Sequence, residues 1–180
     1  MDIFVINKTD ADNINPELLA EFGYKRITNP NKLKVHCFSY LMLDRILKEV
    51  YKIENREIEF VDNKPYLKSN EKFFSLSHSG DYISIGVSDE ECGVDIEIIK
   101  DRDFLAIAKR MGFSCKNLKE FYLDWTKYEA EYKLGGKYSV DKYGSIIQTE
   151  LENHMLTAVC TNPQEKFEIY IQNGEKFPNL

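Results

Sequence analysis

A chain of 180 residues can bury the core of one domain or of two small lobes, and its 43% hydrophobic and 13% aromatic content exclude a disordered protein. With 24 basic against 30 acidic residues the net charge is -6, which argues against a nucleic-acid binder, a class that normally carries a basic surplus or stripe. Ile3–Ile6 is a short apolar stretch followed by Lys8, Asp10 and Asp12, without the basic start and long apolar centre of an export signal. No apolar run approaches membrane-spanning length, so the expectation is a cytoplasmic protein with no membrane association. Cys37, Cys92, Cys115 and Cys160 are scattered and form no Cys-x-x-Cys pair, which argues against zinc and for reduced thiols.

In chain order, Ile3–Ile6 reads as a strand. Asn13–Phe22, with Pro16 ahead of Glu17, Leu18, Leu19 and Phe22, reads as a short helix with proline in its first turn. Asn29-Pro30-Asn31 reads as a loop. From Leu33 to Tyr51 apolar residues recur at Phe38, Leu41, Met42, Ile46, Leu47 and Val50, the spacing of a long helix with a core stripe. Ile58–Val61 is a short strand and Asp62-Asn63-Lys64-Pro65 a turn. Phe73–Leu76 and Tyr82–Val87 read as strands around a loop, Ser77-His78-Ser79-Gly80-Asp81. Ser88–Glu91 is an acidic turn and Val94–Ile98 a strand. Helices follow at Asp103–Met111 and Leu118–Leu134, the second ended by Gly135-Gly136. The tail alternates as strands over Ser145–Leu151, His154–Cys160 and Phe167–Ile171. The order is mixed α+β, with a long helix and several strands in each half and no internal sequence repeat.

Two segments carry candidate chemistry. In Gly93-Val94-Asp95-Ile96-Glu97 a strand sends Asp95 and Glu97 to one face and Val94 and Ile96 to the other. In the later helix Trp125, Glu129 and Lys133 fall at i, i+4 and i+8, one stripe. Where that stripe meets the acidic strand face, three carboxylates converge, and oxygen-only ligands of this kind suit magnesium held beside substrate phosphates. Taken singly, Asp95 and Glu97 read as a solvated strand edge, Lys133 as a surface lysine and Trp125 as core packing; their order along the chain gives them a shared meaning. His154 stands outside any constellation and reads as structural.

Asn63-Lys64-Pro65-Tyr66-Leu67, Phe74-Ser75-Leu76-Ser77-His78-Ser79-Gly80, Gly93–Glu97 and Trp125-Thr126-x-x-Glu129-Ala130-x-x-Lys133 occur in series. This series resembles the 4′-phosphopantetheinyl transferases of the monomeric, surfactin-synthetase-activating type, with motifs from about Lys64 to Lys133. The resemblance implies an α+β fold of two similar lobes, a pseudo-dimer within one chain with a cofactor cleft between them, here 1–91 and 92–180. It implies a monomer that moves the phosphopantetheine arm of coenzyme A onto a serine of an apo acyl or peptidyl carrier protein, releasing 3′,5′-ADP, with magnesium required. Asp95, Glu97 and Glu129 would hold the metal. Glu129 or a metal-bound water would take the serine proton, and Lys133 would contact phosphate and stabilise developing charge. His78 and Ser77 would bind phosphates of coenzyme A, and Lys64 and Pro65 would flank the adenine and 3′-phosphate.

Three positions depart from the family pattern. Tyr128 stands where a lysine usually precedes the helical glutamate; Lys127, one residue earlier, is turned by about 100° and cannot substitute. His36 stands where an arginine usually faces the 3′-phosphate, and Tyr40 where the first helix usually has glycine. Lys32, Lys34 and His36 can still supply a basic patch. These departures motivate an alternative: a degenerate relative that binds coenzyme A or a carrier protein without transferring the arm. A magnesium-dependent phosphohydrolase explains the carboxylates but neither the His78 segment nor Lys64-Pro65.

Overall fold

The computed structural model describes residues 1–9, 27–62, 64–135 and 143–172. The helix expected at 13–22, Asn63 of the first motif and the stop residue Gly136 lie outside the described residues. In chain order the elements are β1 (Asp2–Asn7), α1 (Pro30–Glu49), β2 (Ile58–Val61), β3 (Lys64–Leu67), β4 (Phe73–Ser79), β5 (Tyr82–Ser88), β6 (Cys92–Ile98), α2 (Phe104–Met111), α3 (Leu118–Gly135), β7 (Ser145–Leu151), β8 (His154–Cys160) and β9 (Glu168–Gln172). The architecture is α+β, as the element pattern implies.

Strand alternation decides how the core is shared. In β1, Phe4 and Ile6 join Phe38, Leu43, Ile46 and Leu47 of α1. Ile3 and Val5, on the other face, join Val94, Ile96, Leu156 and Ala158 of the second half. A sheet of order β4-β5-β1-β9 and a sheet of order β6-β8-β7 result, with β2 and β3 as a separate pair. β9 comes from the end of the chain and pairs in parallel with β1. No helix among the described residues is long and apolar enough to cross a membrane.

Three local expectations are corrected. Asn29-Pro30-Asn31 is a helix start rather than a loop. Asn29 Oδ1 accepts the N–H groups of Asn31 and Lys32 at 3.0 and 3.2 Å, and Pro30 opens α1, where its missing N–H costs nothing. Lys64 and Pro65 belong to β3 rather than to a turn, paired with Val61 and Phe60. The third correction bears on the site. Ser77, His78 and Ser79 continue β4, paired with Ser84, Ile83 and Tyr82 of β5. The turn shrinks to Gly80 and Asp81 because Gly80 adopts φ +53°, which side chains rarely tolerate, and a Cβ there would also lie 2.3 Å from His154 Nε2.

Candidate active site

The site begins with a close approach. A Cβ on Gly93 would lie 2.0 Å from the carbonyl oxygen of Ala130, so only glycine lets α3 settle this near β6. Thr126 and Thr157 hydroxyls meet at 2.7 Å between α3 and β8, the strand beside β6. The consequence is the one the helical spacing implied: the stripe of Trp125, Glu129 and Lys133 lies along the acidic face of β6. Lys133 Nζ donates to Asp95 Oδ1 at 2.7 Å and to the Val94 carbonyl at 3.1 Å. Trp125 Nε1 donates to Glu97 Oε1 at 3.4 Å. Glu129, one helical turn from both Trp125 and Lys133, is half-buried between these contacts.

The carboxylates are held in an unfavourable field. Burial pushes the Asp95 carboxyl above its ordinary pKa despite the opposing pull of Lys133 and the Ser77 hydroxyl. Burial, then the negative charge of Asp95, pushes Glu129 up as well; Lys133 opposes and Glu97 adds to the rise. Asp95 Oδ2 is buried without a hydrogen-bond partner. Like-charged oxygens and an unsatisfied one are what a hard divalent cation relieves, so the donor chemistry fits magnesium. As placed, however, no three His, Cys, Asp or Glu side chains among the described residues are close enough to share an ion. The structure brings Asp95, Glu97 and Glu129 to one face and leaves them open rather than closed into a cage.

Beside this face lies a cavity of about 730 Å³ lined by His36 of α1, Lys64 and Pro65 of β3, His78 of β4 and Lys133 of α3. Five candidate residues from four elements thus share one wall. Lys64 Nζ donates to the Leu134 carbonyl at 2.7 Å, capping the last turn of α3, and sits 5.0 Å from the centre of the Tyr66 ring. His36 stacks at a tilt on Tyr40, 4.8 Å between ring centres. Burial and then His78 hold the His36 imidazole below its ordinary pKa. His78 touches solvent at the cavity surface, yet the surrounding walls, then Lys133 and Lys8, hold it low too. Imidazoles held low first by burial, with Lys133 and Lys8 beside His78, border a region that a bound anion would relieve.

Ser77 is placed differently from its expected phosphate-binding position. It sits on the β4 face opposite His78, where its hydroxyl donates to Asp95 Oδ1 at 2.7 Å. Sequence reasoning missed Ser79, which donates to Glu97 Oε2 at 2.6 Å, and the aromatic cavity residues Tyr66, Phe74 and Tyr132. The signal for Ser79 was present: Ser75, Ser77 and Ser79 alternate at strand period with the same spacing as Asp95 and Glu97. Tyr128 faces Phe113 edge-on at 6.2 Å and remains 38% exposed, beside the site rather than in it.

Chains related to this one are 4′-phosphopantetheinyl transferases, the class that the motif series resembles. In particular, 4′-phosphopantetheinyl transferase psf-1 of Bacillus pumilus is 34% identical over 113 residues, a match covering 54% of this chain and 48% of that protein. The 4′-phosphopantetheinyl transferases AcpT of Salmonella typhi and Salmonella typhimurium are each 36% identical over 111 residues, covering 49% of this chain and 57% of theirs. The chain therefore spans about half the length of the curated relatives it matches. No family model matches it.

Proposed function

We propose that this protein transfers the 4′-phosphopantetheine arm of coenzyme A to a serine of an apo acyl or peptidyl carrier protein, releasing 3′,5′-ADP. The observation that carries the reading is the junction at Lys133. Its side chain lines the cationic cavity and bonds the acidic face, so a site suited to phosphate abuts one suited to a divalent cation, in a chain with transferase relatives. The cavity draws on both halves of the chain, which supports two lobes, 1–91 and 92–180, with coenzyme A between them. The reading includes a monomer acting in the cytoplasm.

The chain's own groups divide the work. His36, His78 and Lys64 bind phosphate oxygens of coenzyme A, and Pro65 with the aromatic cavity wall borders the adenine. Lys133 stabilises charge that gathers on the diphosphate as the bond from its bridging oxygen to the pantetheine phosphorus opens. Asp95, Glu97 and Glu129 would hold magnesium, which when bound neutralises diphosphate oxygens. Glu129, already biased toward the protonated form by burial and Asp95, accepts the serine proton as the serine oxygen bonds to the pantetheine phosphorus. The bridging oxygen leaves on 3′,5′-ADP.

Incubation with coenzyme A, magnesium and an apo carrier protein tests this directly. The expected outcome is a mass gain of one phosphopantetheine arm on the carrier, lost with Asp95→Ala. Coenzyme A consumption without an acceptor would point instead to a hydrolase. A second reading, binding without transfer, draws on the tethering of Lys133 to Asp95 and of Lys64 to Leu134, and on Tyr128 in place of the usual lysine. It predicts affinity for coenzyme A with no mass gain on the carrier.

A further inference from the structure

The two sheets meet along a seam that uses no backbone-to-backbone ladder. β4 is an edge strand of the first sheet and β6 an edge strand of the second. Edge strands leave every second N–H unpaired. Here the orphan donors of β6 are taken up by side chains of β4. Val94 N–H donates to Ser75 Oγ at 3.0 Å, Ile96 N–H to Ser77 Oγ at 3.3 Å and Ile98 N–H to Ser79 Oγ at 3.1 Å. Both strands advance with the same period, so three serines at alternate positions meet three amides at alternate positions.

A serine hydroxyl has one proton to give and two lone pairs to receive. Once the seam uses a lone pair, the proton has a defined direction. Ser77 gives its proton to Asp95 Oδ1 at 2.7 Å and Ser79 gives its proton to Glu97 Oε2 at 2.6 Å. Each hydroxyl thus bridges the amide on one side of a carboxylate-bearing residue to that residue's own side chain. Ser75 makes the same backbone bond and has no carboxylate among its partners.

We propose that Ser77 and Ser79 are positioning residues: anchored by the β6 amides, they fix the side-chain orientations of Asp95 and Glu97 so that one oxygen of each is held and the other is presented to a shared divalent cation. The inference rests on the magnesium reading above. Its geometric support is the oxygen count. Asp95 Oδ1 is engaged by Ser77 and Lys133 while Oδ2 is buried and unpartnered, and Glu97 Oε2 is engaged by Ser79 while Oε1 meets only the long contact from Trp125. Groups behind a metal ligand set its orientation, and their removal commonly costs about ten- to a hundredfold in metal affinity.

Ser75 provides the control inside the same molecule. Thermal-shift titrations of the full chain with magnesium chloride would compare wild type with Ser75→Ala, Ser77→Ala and Ser79→Ala. All three variants lose one seam bond, so their melting temperatures fall together. The expected result is a half-saturating magnesium concentration about tenfold higher in Ser77→Ala and Ser79→Ala, and within about twofold of wild type in Ser75→Ala. Ser79→Cys, which keeps the shape and weakens the donor, shifts in the same direction as Ser79→Ala and decides the question if an alanine variant does not fold. Ser79→Thr, which retains the hydroxyl, moves back toward wild type. An equal shift in all three alanine variants, or none in Ser77→Ala and Ser79→Ala, overturns the positioning role while leaving the transferase reading intact. A wild-type protein with no magnesium shift overturns both.

Discussion

The cationic wall and the acidic face lie side by side but are built on opposite electrostatic terms. On the wall, burial and then His78 hold His36 below its ordinary pKa, and burial, then Lys133 and Lys8, hold His78 below its own. On the face, Asp95 and Glu129 are held above theirs by burial and by the negative charge of neighbouring carboxylates, Glu97 for Asp95 and both Asp95 and Glu97 for Glu129. Each region opposes its own charged form, and each would be relieved by a ligand of the opposite sign: phosphates for the wall, a cation for the face. Lys133 is the one residue assigned to both. A site under strain of two signs is a sensible preparation for a substrate that arrives as an anion with a metal ion.

Glu129→Gln gives the largest expected effect. It removes the proposed base and should lower the transfer rate by about a thousandfold, within the range for loss of a general base. Because it also removes a negative charge that Asp95 and Glu97 disfavour, the melting temperature should hold or rise. Carrier mass spectrometry and calorimetry on one preparation check both halves; a parallel fall in stability would show that Glu129 is structural.

Breaking the junction comes next. Lys133→Met leaves Asp95, whose side chain is 6% exposed, without its cation, and should cost about 3 kcal/mol in urea unfolding. Adding Asp95→Asn should recover part of that loss. Additive penalties in the double variant would mean that the two side chains do not depend on each other.

A smaller effect sharpens the anionic preference of the wall. Both imidazoles are mostly neutral near pH 7, and a bound phosphate favours their protonated forms. Affinity for 3′,5′-ADP should therefore rise as pH falls from 7.5 to 5.5, by about tenfold for each pH unit over which one proton is taken up on binding. The rise should vanish in His36→Gln/His78→Gln, measured by titration calorimetry.

The smallest effect contrasts the two regions through stability alone. His36, His78 and the fully buried His154 all have lowered pKa values, so the folded protein binds fewer protons than the unfolded chain. Their contribution is present above the unfolded value of about 6.5 and is lost as pH falls through it toward the folded values. Asp95 and Glu129 act in reverse: their raised pKa values penalise the fold at neutral pH, and the penalty shrinks as pH falls through the folded values toward about 4. The melting temperature should fall by a few degrees between pH 7.5 and 5.5. His154→Gln should flatten that fall, and an unchanged slope would remove His154 from the account.

Much of this was legible in the chain. Alternation placed β1, β5, β6 and the three late strands, and helical spacing set Glu129 and Lys133 on one stripe facing Asp95. What local pattern misread were segments whose composition suits a loop but whose partners lie elsewhere. Ser77-His78-Ser79-Gly80 looks like a turn, yet β5 pairs with it through Ser79, and β6 supplies the amides that its serines accept. The motif points to Lys64 as a binding residue, but its bond to the Leu134 carbonyl joins positions 70 residues apart and no local rule reveals it. The open carboxylate face was likewise not readable, since ligand spacing depends on side-chain orientations set by Ser77, Ser79 and Lys133.

The parallel pairing of β9 with β1 has a consequence for synthesis of the chain. A ribosome that has delivered everything through β8 holds a first sheet in which β1 is still an open edge, because its neighbour β9 follows β8 in the chain. That closure joins residues more than 160 positions apart, the kind of contact that slows folding. Until it forms, nascent molecules stalled side by side expose strands able to pair with one another, so slowed translation between β8 and β9 should raise aggregation more than slowing within α1.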